Sequence, residues 1–282
     1  VKDIDLKVPK GALYGFLGPN GAGKSTTIRL LLNLIKPTKG KVYLFDKDIE
    51  KHRMEILRKV GAMVDSPSYY ENLTACENLE IIRKILQIDK KEIDKVLEIV
   101  NLSKWKNEKV KKFSLGMKQR LGIAQALIGG RELLILDEPT NGLDPAGVRE
   151  IRNLIISLPK MMGVTVLISS HILSEIELIA DHVGIICKGR LLFQGTLDEL
   201  KAKGNREIIL QARPLTEAEG FLKRKGYAVE NQGGRLHISG GNLRIEELNK
   251  ALVLEGYGVS YLSERQKNLE EIFLELTGGM GE

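Results

Sequence analysis

The chain has little of several things that would mark other kinds of protein. Its 282 residues hold two cysteines, Cys76 and Cys187, far apart and in neither a Cys-x-x-Cys pair nor a cluster with histidine. That excludes a disulfide-stapled scaffold and a zinc site, and both read as reduced thiols of an intracellular protein. No apolar run approaches the ~20 residues a bilayer-spanning helix needs, so this chain does not cross a membrane by itself. It opens on Val1 with neither a signal-peptide nor a transit-peptide pattern, and the start reads as a trimmed or disordered end. No single charge sign dominates. With 43 Lys and Arg against 37 Asp and Glu, the net charge of +6 suits an anionic partner without choosing among nucleotide, lipid headgroup and nucleic acid. Core-forming material is present in ordinary amount, 43% hydrophobic and 28% charged, and the length allows one large domain plus a small one, or two modest ones.

Against that background one segment stands out. Gly18-Pro19-Asn20-Gly21-Ala22-Gly23-Lys24-Ser25 fits the phosphate-loop pattern Gly-x4-Gly-Lys-[Ser/Thr] at every required position. The apolar Ala12–Leu17 before it reads as a strand, and the run from Thr26 to Leu32 as a helix. Glycines 18, 21 and 23 let the backbone curl so that amide groups converge on an anion at the helix start. Lys24 then reaches the β- and γ-phosphates, and the Ser25 hydroxyl ligates magnesium.

The rest of the chain supplies an α/β frame. Alternation at Ile4–Val8 predicts a half-buried strand, and Lys41–Phe45 another after the Pro37–Gly40 turn. From Asp65 to Ile128 the pattern is helical, with starts near Asn72, Lys91 and Leu115, which reads as an inserted lobe over about 66–128. Leu133–Leu136, Val164–Ile168 and Val183–Ile186 are short continuous apolar runs of the kind found in buried parallel strands. The polar stretch 201–205 reads as a linker, placing a nucleotide domain at 1–203 and a small α+β domain at 204–282. The second has a β-α-β-β-α-β order with one extra helix, from a strand at Glu207 through a helix at Leu243–Leu254 and a strand at Gly258–Leu262 to a helix at Leu269–Leu276, suggesting a ferredoxin-like fold. It shows no phosphate loop, metal cluster or nucleophile.

Asp137-Glu138 ends the first of those apolar runs, where an open α/β sheet keeps its ligands. Asp137 suits magnesium, held through water, and Glu138 suits the group that orients or deprotonates an attacking water. Pro139–Pro145 follows, Ser114-Leu115-Gly116-Met117-Lys118 lies about twenty positions upstream, and His171 comes after Ser169-Ser170. With these motifs in this order the chain resembles the ATP-binding subunit of ABC transporters, over residues 1 to about 200, and within them the bacitracin- and lantibiotic-exporter type.

The resemblance implies a phosphate-loop NTPase cassette with ATP and Mg2+ as cofactors. It implies a separate integral-membrane permease, a cytoplasmic location on the inner membrane face, and no nucleic-acid partner. It also implies a head-to-tail dimer in which each ATP lies between one copy's loop, residues 18–26 with Thr26 included, and the other copy's Ser114, Leu115 and Gly116. His171 becomes the switch histidine that binds the γ-phosphate and links it to Glu138, with Glu138, His171 and Lys24 as the catalytic set. From its residues alone Ser114 reads equally as a helix cap. Asp65 stands where the family usually has glutamine; as an acid it can reach magnesium, and equally it can begin the turn before Pro67. The adenine-stacking aromatic of the family falls upstream of Val1, and Tyr14 belongs to the core. Five lysines around Trp105 between 104 and 112 read as a solvated face rather than a nucleic-acid patch. The chain therefore reads as an ATPase that energises drug or peptide-antibiotic export, with a soluble ABC protein acting on ribosomes or nucleic acid as the alternative.

Overall fold

The computed structural model describes residues 1–65, 67–204, 206–239 and 244–278. The chain divides into two compact units, Val1–Leu197 and Asp198–Glu282.

The first unit follows the order β1 (Leu13–Leu17), α1 (Lys24–Leu31), β2 (Tyr43–Leu44), β3 (Lys47–Asp48), α2 (Ile49–Lys59), β4 (Val60–Met63), α3 (Ala75–Leu86), α4 (Lys91–Ile99), α5 (Leu115–Leu127), β5 (Leu133–Asp137), α6 (Pro145–Met162), β6 (Thr165–Ser170), α7 (Leu173–Glu177), β7 (His182–Cys187) and β8 (Arg190–Thr196). Six strands form one sheet in the order β4-β5-β6-β1-β7-β8. Five run parallel and β8 closes one edge antiparallel. Every residue of β1, β5 and β6 is buried, which is why these segments read as continuous apolar runs instead of alternating ones. The register sets Leu17 beside Ser170 and Asp137 beside Ser169. The carboxyl ends of three central strands therefore open at one level, and the loop after β1, the acids after Leu136 and the histidine after β6 meet there.

One expectation fails here and another holds only in part. Residues 4–8 form no strand, although Ile4, Leu6 and Val8 do pack on the core. The Gln194 side chain takes their backbone groups instead, accepting from Lys7 N at 2.9 Å and donating to Asp5 O at 3.1 Å. Of Lys41–Phe45 only Tyr43–Leu44 is extended, in a hairpin with β3. Tyr14 is fully buried, as expected of a core residue.

In the helical segment Thr74 caps α3 in a reciprocal box with Glu77. Within the lysine run Lys106 pairs with Asp94 and Lys112 with Glu108, while Val110 and Phe113 turn inward. Helix α5 lies so close to β4 that a Cβ on Gly61 would stand 1.9 Å from the Ala126 carbonyl oxygen. Gly61→Ala must push the helix off the sheet, and a loss of roughly 1–3 kcal/mol is expected, as for overpacked cores. Thermal denaturation checks this; an unchanged Tm counts against so close an approach.

In the second unit, α8 (Leu197–Ala202) lies at the boundary and is followed by β9 (Arg206–Arg213), α9 (Leu215–Arg224), β10 (Ala228–Gln232), β11 (Arg235–Ser239), α10 (Ile245–Leu254), β12 (Gly258–Gln266) and α11 (Leu269–Thr277). The strands form an antiparallel sheet in the order β10-β11-β9-β12. Ile208, Leu210 and Ala212 alternate inward from β9 onto Ala218, Leu222, Leu248 and Leu252 of α9 and α10. Strand β12 runs four residues past Leu262 to Gln266. Residues Ser66, Asn205 and Leu243, which fall in the expected lobe start, linker and helix start, lie outside the described residues.

Candidate nucleotide site

The loop between β1 and α1 is shaped by two demands that only glycine meets. Gly21 and Gly23 sit at φ 75° and 111°, in the left-handed region. A Cβ on Gly18 would come within 2.3 Å of the Ile186 carbonyl oxygen of β7. Pro19 is half-buried, Asn20 exposed and Ala22 buried. Ala22 N donates to Pro19 O at 3.1 Å, closing the curl. Helix α1 starts at Gly23 with neither a side-chain cap nor an acid in its first turn. Its first amide groups and the positive end of its dipole thus face the loop. Ser25 and Thr26 lie on that first turn, half-buried and exposed respectively.

Lys24 is 6% exposed. Its ammonium donates to Gly18 O at 2.7 Å and Pro19 O at 3.3 Å and stands 3.4 Å from Glu138 Oε1. The other oxygen of Glu138 is 3.2 Å from His171 Nδ1. Lys24, Glu138 and His171 are therefore joined in one chain of contacts. Asp137 is 4% exposed, and one of its oxygens accepts from the Ser169 hydroxyl, which itself accepts from Glu138 N at 3.0 Å. Ser169 thus fixes both acids, and sequence reasoning passed over it. The available signal was its place in the Ser169-Ser170 pair just before His171. A buried lysine among carbonyls, a buried carboxylate at a strand end, and a loop too tight for side chains fit a triphosphate with a divalent cation.

Among the described residues, no hydrogen bond or ion pair joins the other expected residues, Ser114, Leu115, Gly116 and Asp65, to Lys24, Glu138 or His171. Ser114 caps α5, accepting from Met117 N at 3.3 Å. Ser114 and Leu115 are exposed and Gly116 half-buried, and among the described residues no hydrogen bond or ion pair joins them to residues 18–25. Gly116 and Leu115 instead face Leu143 and Gly142 of the loop that follows β5. Asp65, at φ 56°, is held by Arg29 of α1 at 2.7 Å. Arg29 is one helical turn past Ser25, and its guanidinium offsets the charge that an acid brings to this position. The carboxylate in turn raises the already high pKa of Arg29 through its hydrogen bond and charge.

A parallel α/β sheet with this loop and these acids defines the class of phosphate-loop nucleotide-binding NTPases. The family model described as ABC transporter matches residues 1–141, and one described as AAA domain, putative AbiEii toxin, Type IV TA system, matches 106–177. The bacitracin transport ATP-binding protein BcrA of Bacillus licheniformis is 48% identical over 99% of this chain and 92% of its own length. The protein of the same name from Enterococcus faecalis is 39% identical, covering 100% and 92%. The lantibiotic transport ATP-binding protein SrtF of Streptococcus pyogenes is 41% identical over 76% of this chain and 93% of its own. Among solved structures, cbiO1 of Clostridium perfringens, part of the transporter complex cbiONQ, superposes with a TM-score of 0.65 at 29% identity, covering 71% of this chain and 83% of that one. The dimeric post-hydrolysis structure of the cassette MJ0796 with ADP and Pi does so at 0.62 and 26%, covering 70% and 90%. The chain belongs to the ABC transporter family, among its ATP-binding subunits.

Proposed function

We propose that this protein is a magnesium-dependent ATPase that energises export of a drug or peptide antibiotic through a separate membrane permease, working as a dimer on the cytoplasmic face. The contact chain Lys24–Glu138–His171 supports the ATPase, and the likeness to bacitracin and lantibiotic transport subunits supports the export. No described helix is long and apolar enough to cross a membrane, and in this reading the permease supplies the transport path.

In this reading residues 18–26 cradle the phosphates, with Lys24 turning from its carbonyl partners to the β/γ oxygens. Ser25 and Asp137 would hold a magnesium ion, which when bound would draw charge from the phosphates. Asp65, paired with Arg29, flanks them. Glu138 orients the attacking water and takes its proton, and His171 holds the γ-phosphate beside it. Ser114, Leu115 and Gly116 contribute their hydroxyl and helix end to ATP on the second copy, a role that the exposure of Ser114 and Leu115 supports. Residues 1–203 would form the cassette and 204–282 an accessory domain of ferredoxin-like type.

The shared site is tested by mixing subunits. Ser114→Arg and Lys24→Ala chains, each inactive as a homodimer, form heterodimers with one doubly damaged site and one intact site. Activity that reappears on mixing is the expected result. An active Ser114→Arg homodimer would remove the signature from the site. Copurification of the full chain with a polytopic membrane protein tests the export half of the reading.

A further inference from the structure

Beyond β5 the chain turns back through residues 139–144, with Pro139 buried and Leu143 half-buried. Asn141, Gly142 and Asp144 are exposed, and two short backbone bonds, Asn141 N to Glu138 O at 3.1 Å and Leu143 N to Thr140 O at 3.2 Å, shape the turn. A side-chain bond fixes it from outside: the Thr140 hydroxyl donates to Glu175 Oε2 at 2.8 Å. Glu175 lies in the first turn of α7, four residues past His171. The His171 turn is itself braced, because Ser170 Oγ accepts from Ile172 N at 2.9 Å. The Glu175 carboxylate therefore ties the segment that follows Glu138 to the segment that follows His171. Ser169 makes the corresponding tie on the strand side. A cavity of about 140 Å³ is lined by Glu138, Thr140, His171 and Glu175 among others.

We infer that Glu175 is a positioning residue for hydrolysis: through Thr140 it holds the Glu138 and His171 side chains at their working separation and keeps the loop 140–144 in register with them. The inference rests on Glu138 being the water-orienting group. Such a tie works on orientation, not on nucleotide affinity, because the phosphate loop has its own bonds and shares none with Glu175. A displaced catalytic group with the binding site intact lowers kcat and leaves affinity nearly unchanged.

The test compares the full-length protein with Glu175→Ala, Glu175→Gln, Thr140→Val, the double variant Thr140→Val/Glu175→Ala, and Glu138→Gln, measuring steady-state turnover, ATP affinity by calorimetry and Tm. Displacements of about 1 Å at a reacting centre cost up to roughly 100-fold, so Glu175→Ala and Thr140→Val should each lose about ten- to a hundredfold in kcat with affinity within about twofold. Glu175→Gln keeps an acceptor oxygen and should recover turnover to within about threefold of wild type. The double variant should be no worse than either single one, since one bond is broken in all three. Turnover of Glu175→Ala near wild type, losses that multiply in the double variant, or a loss matched by weaker ATP binding would each overturn the inference while Glu138→Gln remains inactive. An active Glu138→Gln protein would overturn both this inference and the role of Glu138 on which it rests.

Discussion

Glu138→Gln is expected to abolish turnover while ATP binding persists. The amide keeps the size and one acceptor of the carboxylate but can take no proton, so the loss is that of a general base, about 100- to 10,000-fold. Binding should survive because Gly18 O and Pro19 O hold the Lys24 ammonium in the loop without Glu138, leaving it placed to turn to the phosphates. Affinity should even rise slightly, since a negative charge 3.4 Å from Lys24 and facing the phosphates is gone. In the proposed reading, where ATP lies between two copies and Glu138 is needed to hydrolyse it, the variant should accumulate as an ATP-bound dimer. Phosphate release, calorimetric titration and size-exclusion chromatography with ATP separate these effects. Turnover within about threefold of wild type would remove Glu138 from its assigned role.

Lys24→Ala is expected to act on binding first. The ammonium does two things here: it supplies the one buried positive charge of the loop, and it bridges two of the loop's own carbonyls. Alanine removes both and leaves the Glu138 charge facing the phosphates without a counterion. Hydrogen bonds to charged groups contribute about 1.5–3 kcal/mol, so ATP affinity should fall by roughly ten- to 150-fold. Lys24→Arg should rescue little, because a planar fork cannot replace a compact ammonium at a site this enclosed. Calorimetry on the folded variants decides the point; an unchanged affinity would count against the role given to the lysine.

The parts of the site legible from sequence are those carried by contiguous residues. Loop 18–25, the acids ending β5 and the position of His171 each depend on a short pattern beside a strand, and the parallel sheet brings those ends together almost regardless of detail. What sequence reading missed are pairings across the sheet, where nothing local marks either partner. Ser169 meets Glu138 N from 31 residues away, Glu175 meets Thr140 from 35, and Arg29 meets Asp65 from 36. Ser114 illustrates an intermediate case, since its capping bond is local and visible while its use by a second copy is not. The failed strand at 4–8 has the same origin. Alternation states which side chains face the core, and Ile4, Leu6 and Val8 do so, but it is silent on what satisfies the backbone between them. In this protein that is an amide side chain from β8.

Glu138 occupies the left-handed region of the backbone, at φ 45°, a conformation that costs a non-glycine residue on the order of 1 kcal/mol or more. The Ser169 hydroxyl on its amide helps to hold it there. This position is therefore one where the fold and the chemistry want different residues. Glycine or asparagine would sit there with less strain, and either would remove the carboxylate. A screen that rewards thermal resistance alone would thus drift towards inert proteins at this residue, whereas one that rewards transport would keep the strained glutamate and improve stability elsewhere.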